Sequence, residues 1–78
     1  MDKELLKYNV SDLSLSINEA CKSIELAIKS QNNGNEYAVN HYKEQCKYWA
    51  ERAVNAVYAL GLNPDKICPK QKEWAERF

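Results

Sequence analysis

A chain of 78 residues has room for one small domain, and its 11 acidic and 11 basic side chains leave no formal net charge. Nucleic-acid and anionic-membrane binders draw much of their affinity from an excess of Lys and Arg, so this balance disfavours both classes, although a local basic patch stays open. Three cysteines without a CxxC pair, and no signal-peptide-like or membrane-spanning apolar run, indicate a cytoplasmic protein with reduced thiols.

The first long helix is predicted over residues 12–31. Apolar residues recur there every third or fourth position and share one helical face: Leu13, Ile17, Ala20, Ile24, Ala27 and Ile28. Ahead of this helix, residues 2–8 are expected to add a helical turn with Asp2 as its cap. Leu15 and Leu26 point away from the apolar face, where leucines are usually covered by something. We therefore expect self-association through Leu15, Leu26 and, from the second helix, Tyr58.

A polar stretch, SQNNGNE, predicts a loop over residues 32–35, followed by a second helix over 36–60. Asn35 is a good cap at its start, and Gly61 can take the left-handed conformation that ends a helix. The inward positions of this helix are Val39, Tyr42, Cys46, Trp49, Ala53, Val57 and Leu60. Neither long segment alternates with the period of a strand, and the short loop predicts that the two helices are antiparallel neighbours.

After Gly61, Asn63 and Pro64 predict a new helix start, and Pro69 interrupts it. Residues 64–78 are therefore expected to form a short C-terminal helical segment. The predicted fold is an all-α single domain over residues 1–78, an antiparallel hairpin of two long helices with a short C-terminal helix. A lone hairpin leaves apolar residues uncovered, so we expect it to assemble as a helical-bundle homodimer.

The residues with chemical potential do not form a catalytic or metal-binding pattern. His41 and Cys46 are five positions apart, about 140° around a helix, and cannot face the same metal ion. The chain has one histidine and no glycine-rich phosphate loop. We expect no enzymatic activity, no metal and no cofactor.

The second helix carries polar and aromatic residues on the side away from its apolar face. Tyrosine and arginine are favoured in protein interfaces because they offer rigid contact area and fixed donors. The predicted partner-binding residues are Tyr37, His41, Tyr48, Arg52 and Asn55. The alternative is an ordinary solvated face, or one covered by the C-terminal segment.

These features favour a small non-enzymatic module that binds another protein or protein complex and occludes its surface. A phage or mobile-element inhibitor of a host defence or regulatory complex is one such protein. Two alternatives stay open: a nucleic-acid-binding regulator using Tyr48, Arg52 and the basic tail, and a purely structural helical oligomer.

Overall fold

Two long helices packed side by side form the body of the molecule. The computed structural model describes residues 2–78, where the regular elements are α1 (Lys3–Asn32), α2 (Glu36–Ala59), α3 (Pro64–Ile67) and α4 (Pro69–Arg77). Only residues 33–35 separate α1 from α2, so the two helices run antiparallel. The predicted all-α hairpin with a short C-terminal helical segment is confirmed, and that segment is divided at Cys68 into α3 and α4.

The first helix begins earlier than predicted, at Lys3 rather than near residue 12. Asp2 caps it, since its carboxylate accepts a hydrogen bond from the backbone N–H of Glu4 at 3.2 Å. No glycine or proline interrupts the chain before the turn. The prediction followed apolar residues, whereas the inward position of the early turns belongs to a polar residue, the buried Asn9.

Both long helices end on a glycine in the left-handed region. The φ angle is 72° at Gly34 and 74° at Gly61, where a side chain would crowd the backbone. After α2, the N–H groups of Gly61 and Leu62 donate to carbonyls of its last turn at 2.9 and 3.1 Å. This is the Schellman arrangement, which the residues after α1 repeat, and it satisfies carbonyls that the helix end leaves open.

Small side chains form the seam between α1 and α2. The buried residues of α1 are Asn9, Ser16, Ala20, Ser23 and Ala27. Those of α2 are Cys46, Ala50, Ala53, Ala56 and Val57. The larger apolar residues predicted for the inner face of α1 lie beside this seam: Leu13, Ile17 and Ile24 are half-buried, and Ile28 is 54% exposed. The face of α1 that meets α2 is therefore rotated towards its smaller residues.

The C-terminal helix α4 packs mainly against α2 and leaves the opposite side of the hairpin open. Arg77 and Phe78 line a shallow hollow with Asn40 and Lys43 of α2. Lys43 precedes Arg52 by nine residues, about two and a half helical turns, so the two side chains leave α2 on opposite sides. The molecule is elongated, with extents of 47 × 20 × 13 Å.

Candidate interaction surface

The predicted partner-binding residues lie along the edge of α2 that points away from α1. We call this set the α2 stripe: Tyr37, His41, Tyr48, Arg52 and Asn55. Tyr37 is 85% exposed and Tyr48 is 51% exposed. His41 and Asn55 are also exposed, and Arg52 is half-buried. The stripe is thus open to solvent at four of its five positions, and α4 does not cover it.

Arg52 departs from the rest of the stripe because it turns back towards α1. Its guanidinium group forms a hydrogen-bonded ion pair with the carboxylate of Asp12. It also donates to the hydroxyl of Tyr48 at 3.2 Å, and its central carbon lies 5.2 Å from the ring centre of Trp49. The hydrogen bond with Tyr48, followed by that with Asp12, raises the pKa of Arg52. Arg52 therefore joins the α2 stripe to the neighbouring helix.

These contacts hold Tyr48 in a defined position although half of it is exposed. Its hydroxyl accepts from Arg52, and its ring meets that of Trp49 edge to face, with centroids 5.1 Å apart. An aromatic side chain that is already fixed loses less conformational entropy when a partner covers it. Tyr48 is consequently the exposed member of the α2 stripe that its neighbours hold most firmly.

The leucines predicted for self-association are uncovered in the single chain. Leu15 is 48% exposed and Leu26 is 41% exposed. Leu15 follows Asp12 by three residues, so it lies on the side of α1 that carries the ion pair with Arg52. Tyr58, 59% exposed, lies about 120° around α2 from Arg52. The structure thus places the two leucines on one surface and does not bring Tyr58 to it.

Asp12 is a contact of the α2 stripe that helical periodicity does not predict. It is separated from Arg52 by forty positions. The pairing depends on how far the two helices are shifted along each other, which no local pattern specifies. The only signal in the sequence is that Asp12 is an acidic residue near the start of α1, and other acidic residues lie there as well.

Two of the three cysteines are chemically unreactive because they are buried. All three are free; Cys46 is 0% exposed and Cys68 is 2% exposed. Burial, with a smaller contribution from nearby Cys21, raises the pKa of Cys46 to about 11, and burial also raises the pKa of Cys68. Since the thiolate is the reactive form, both buried thiols are poor nucleophiles at neutral pH.

Within residues 2–78, no group of three or more His, Cys, Asp or Glu side chains is arranged to hold a metal ion. In the same part of the chain, no helix combines the length and apolar character needed to cross a membrane. Comparison with protein-family models, curated proteins and solved structures gives no match. The hairpin has two open surfaces that carry exposed large side chains, one on each long helix.

Proposed function

We propose that this chain is a non-enzymatic protein-binding module that occludes the surface of another protein or protein complex through the α2 stripe. The observation that carries the proposal is the open edge of α2, where Tyr37 and Tyr48 are largely exposed and Tyr48 is held by Arg52. Tyrosine and arginine are enriched among the residues that dominate binding energy.

The stripe has the form that a helix presents to a groove. From Tyr37 to Asn55 it extends about 27 Å along the helix axis. Its members follow one another at intervals of four, seven, four and three residues, the spacing of anchors in helix-in-groove recognition. The partner surface that fits it is a shallow groove with acceptors for tyrosine hydroxyls.

The biological role that we propose is inhibition by steric occlusion in the cytoplasm, as expected of a phage or mobile-element protein that blocks a host defence or regulatory complex. This class is supported by the small size of the chain and by its exposed aromatic edge. We further propose a homodimer formed through the side of α1 that carries Leu15 and Leu26, whose exposure supports an additional contact.

The test compares two double alanine variants, each at two exposed apolar or aromatic side chains. Proteins retained by the wild-type chain from a lysate of its source cells are identified, purified and titrated against each variant. Replacing Tyr37 and Tyr48 by alanine is expected to raise the Kd at least tenfold, the loss typical of interface anchors. The control replaces Tyr58 and Ile67 by alanine, which are 59% and 46% exposed and lie outside both the α2 stripe and the side of α1 that carries Leu15 and Leu26, and it should leave the Kd unchanged.

Arg52 is unsuitable for this test because it also joins α1 to α2. An unchanged Kd in the Tyr37/Tyr48 variant contradicts the proposal, as does a partner whose activity is unaffected by stoichiometric complex formation. A salt-sensitive gel shift with nucleic acid, in the absence of a protein partner, would favour the nucleic-acid-binding regulator instead.

A further inference from the structure

We infer that α1 pairs antiparallel with α1 of a second copy of this chain, about a two-fold axis near residue 17. The inference rests on the proposed homodimer and adds its geometry, and it does not depend on the α2 stripe. It begins from a second continuous row of residues on α1, which faces solvent on the side away from α4.

We call this row the α1 stripe. Its members recur every third or fourth position along nearly the whole helix: Glu4, Tyr8, Asp12, Leu15, Glu19, Lys22, Leu26 and Lys29. Tyr8 is 63% exposed, and Leu15 and Leu26 are each more than 40% exposed. The ion pair between Asp12 and Arg52 fixes the orientation of the stripe, on the side of the hairpin that α4 does not cover. A row of this spacing is what a helix presents to another helix.

The charges of the α1 stripe are ordered along the chain. Of its three acidic residues, Glu4 and Asp12 stand in the first half and Glu19 stands just past the midpoint, while both basic residues, Lys22 and Lys29, stand in the second half. In an antiparallel pair centred near residue 17, Lys29 meets the partner's Glu4. Lys22, which also pairs with Glu19 of its own chain, meets the partner's Asp12, which also pairs with Arg52. Two-fold symmetry repeats both contacts. A parallel pair would set each charge against its own copy, which is repulsive.

The same register brings one apolar pair together at each end. Tyr8 meets the partner's Leu26, while Leu15 lies beside the axis at the height of the partner's Glu19. The central acid, Glu19, is already paired with Lys22 of its own chain at 3.5 Å. Within residues 2–78, neither Glu4 nor Lys29 makes an ion pair. Among the described residues, these end charges are therefore unpaired in one chain, and each acquires a partner in the pair.

The available area is sufficient for a stable dimer. The broad side of the molecule measures 47 by 20 Å, and a standard interface buries roughly 800 Å² on each partner. The accessible surface of the chain is 5434 Å². A compact monomer of the same mass has about 4,900 Å². The hairpin thus exposes more surface than its size requires, and a second hairpin laid on this side completes an antiparallel four-helix bundle.

The first experiment measures dimerisation by light scattering and sedimentation across a concentration series of the full chain. The wild-type chain is expected to reach twice its 9.0 kDa mass. Glu4→Lys or Lys29→Glu alone should raise the dimer Kd about tenfold, since each places like charges at two symmetric sites. The double variant, Glu4→Lys with Lys29→Glu, restores complementarity and should recover the wild-type Kd. The off-stripe pair Lys7→Glu with Glu25→Lys serves as the matched control and should not change it.

The second experiment tests orientation by cysteine crosslinking in a Cys21→Ser background, because Cys46 and Cys68 are buried. A chain with both Tyr8→Cys and Leu26→Cys should form interchain disulfides under mild oxidation, whereas either single variant should not. Crosslinking of Tyr8→Cys alone would show a parallel pair and overturn the inference. If the chain dimerises but the Glu4 and Lys29 variants leave the dimer Kd unchanged, the antiparallel α1 register is wrong and the homodimer itself still stands. A monomer at every concentration overturns both.

Discussion

At the scale of single residues, Ser16 is the least satisfied group in the seam. It is 0% exposed, and its hydroxyl oxygen has no hydrogen-bond partner among the described residues. A buried unsatisfied polar group costs about 1–3 kcal/mol. Ser16→Ala is therefore expected to raise the free energy of unfolding, measured by urea denaturation, by about 1 kcal/mol more than Ser14→Ala on the exposed side of α1. The matched variant corrects for helix propensity, and a loss of stability in Ser16→Ala would contradict the assignment.

Cys46 makes folding sensitive to alkaline pH. Its pKa is raised from 9.0 to about 11 in the folded chain, so its contribution to stability is complete below pH 9 and is lost as the pH rises towards 11. The denaturation midpoint of the wild-type chain should consequently fall more steeply between pH 9 and 11 than that of Cys46→Ala. Identical slopes for the two proteins would show that the thiol is not protected from ionising.

The pairing of Asp12 with Arg52 shows what the sequence leaves open at this scale. The outward direction of Tyr37, His41, Tyr48 and Asn55 follows from helical periodicity, and their exposure agrees with it. The inward turn of Arg52 does not follow, because it requires an acidic residue on another helix at the matching height. Contacts within a helix can be predicted by counting residues. Predicting contacts between two helices also requires knowing how far one helix is shifted along the other.

At the scale of elements, the glycine after each long helix sets the direction in which the chain leaves that helix. A Cβ placed on Gly61 meets no atom within 4 Å, so the cost of a side chain there comes only from the positive φ. Gly61→Ala should lower the free energy of unfolding by about 1 kcal/mol. Gly61→Asn should lower the free energy of unfolding by less, because asparagine tolerates this conformation. Equal stability of the alanine variant and the wild-type chain, compared by thermal and urea denaturation, would contradict this account.

The helices themselves were predictable, but the packed side of α1 was not. Turn residues and apolar periodicity predict two long helices and a short tail. They favour Leu13, Ile17 and Ile24 as the contact of α1, whereas the fully buried positions hold serine and alanine. Small side chains let the two backbones approach, and the larger residues then flank the seam rather than fill it. Hydropathy is assigned to single residues, so it does not include the packing energy gained when two helix backbones approach closely.

At the scale of the whole molecule, the hairpin has three different sides. One carries α4, the edge of α2 carries exposed tyrosines, and the broad side carries the charge-ordered row of α1. The second and third sides adjoin at the ion pair between Arg52 and Asp12. A dimer formed on the third side would carry two copies of the exposed tyrosine edge. Two linked edges raise the effective affinity for a repetitive target.

The repeated small residues of the seam have a consequence for alignment. Asn9, Ser16 and Ser23 are spaced by seven, and so are Ala20 and Ala27. If α1 slid along α2 by seven residues, small side chains would again face the same positions, and Glu19 would replace Asp12 opposite Arg52. The seam thus stabilises the pairing of the two helices but does not specify how far one is shifted along the other. The tight turn at residues 33–35 specifies this shift and so sets the alignment of the whole hairpin.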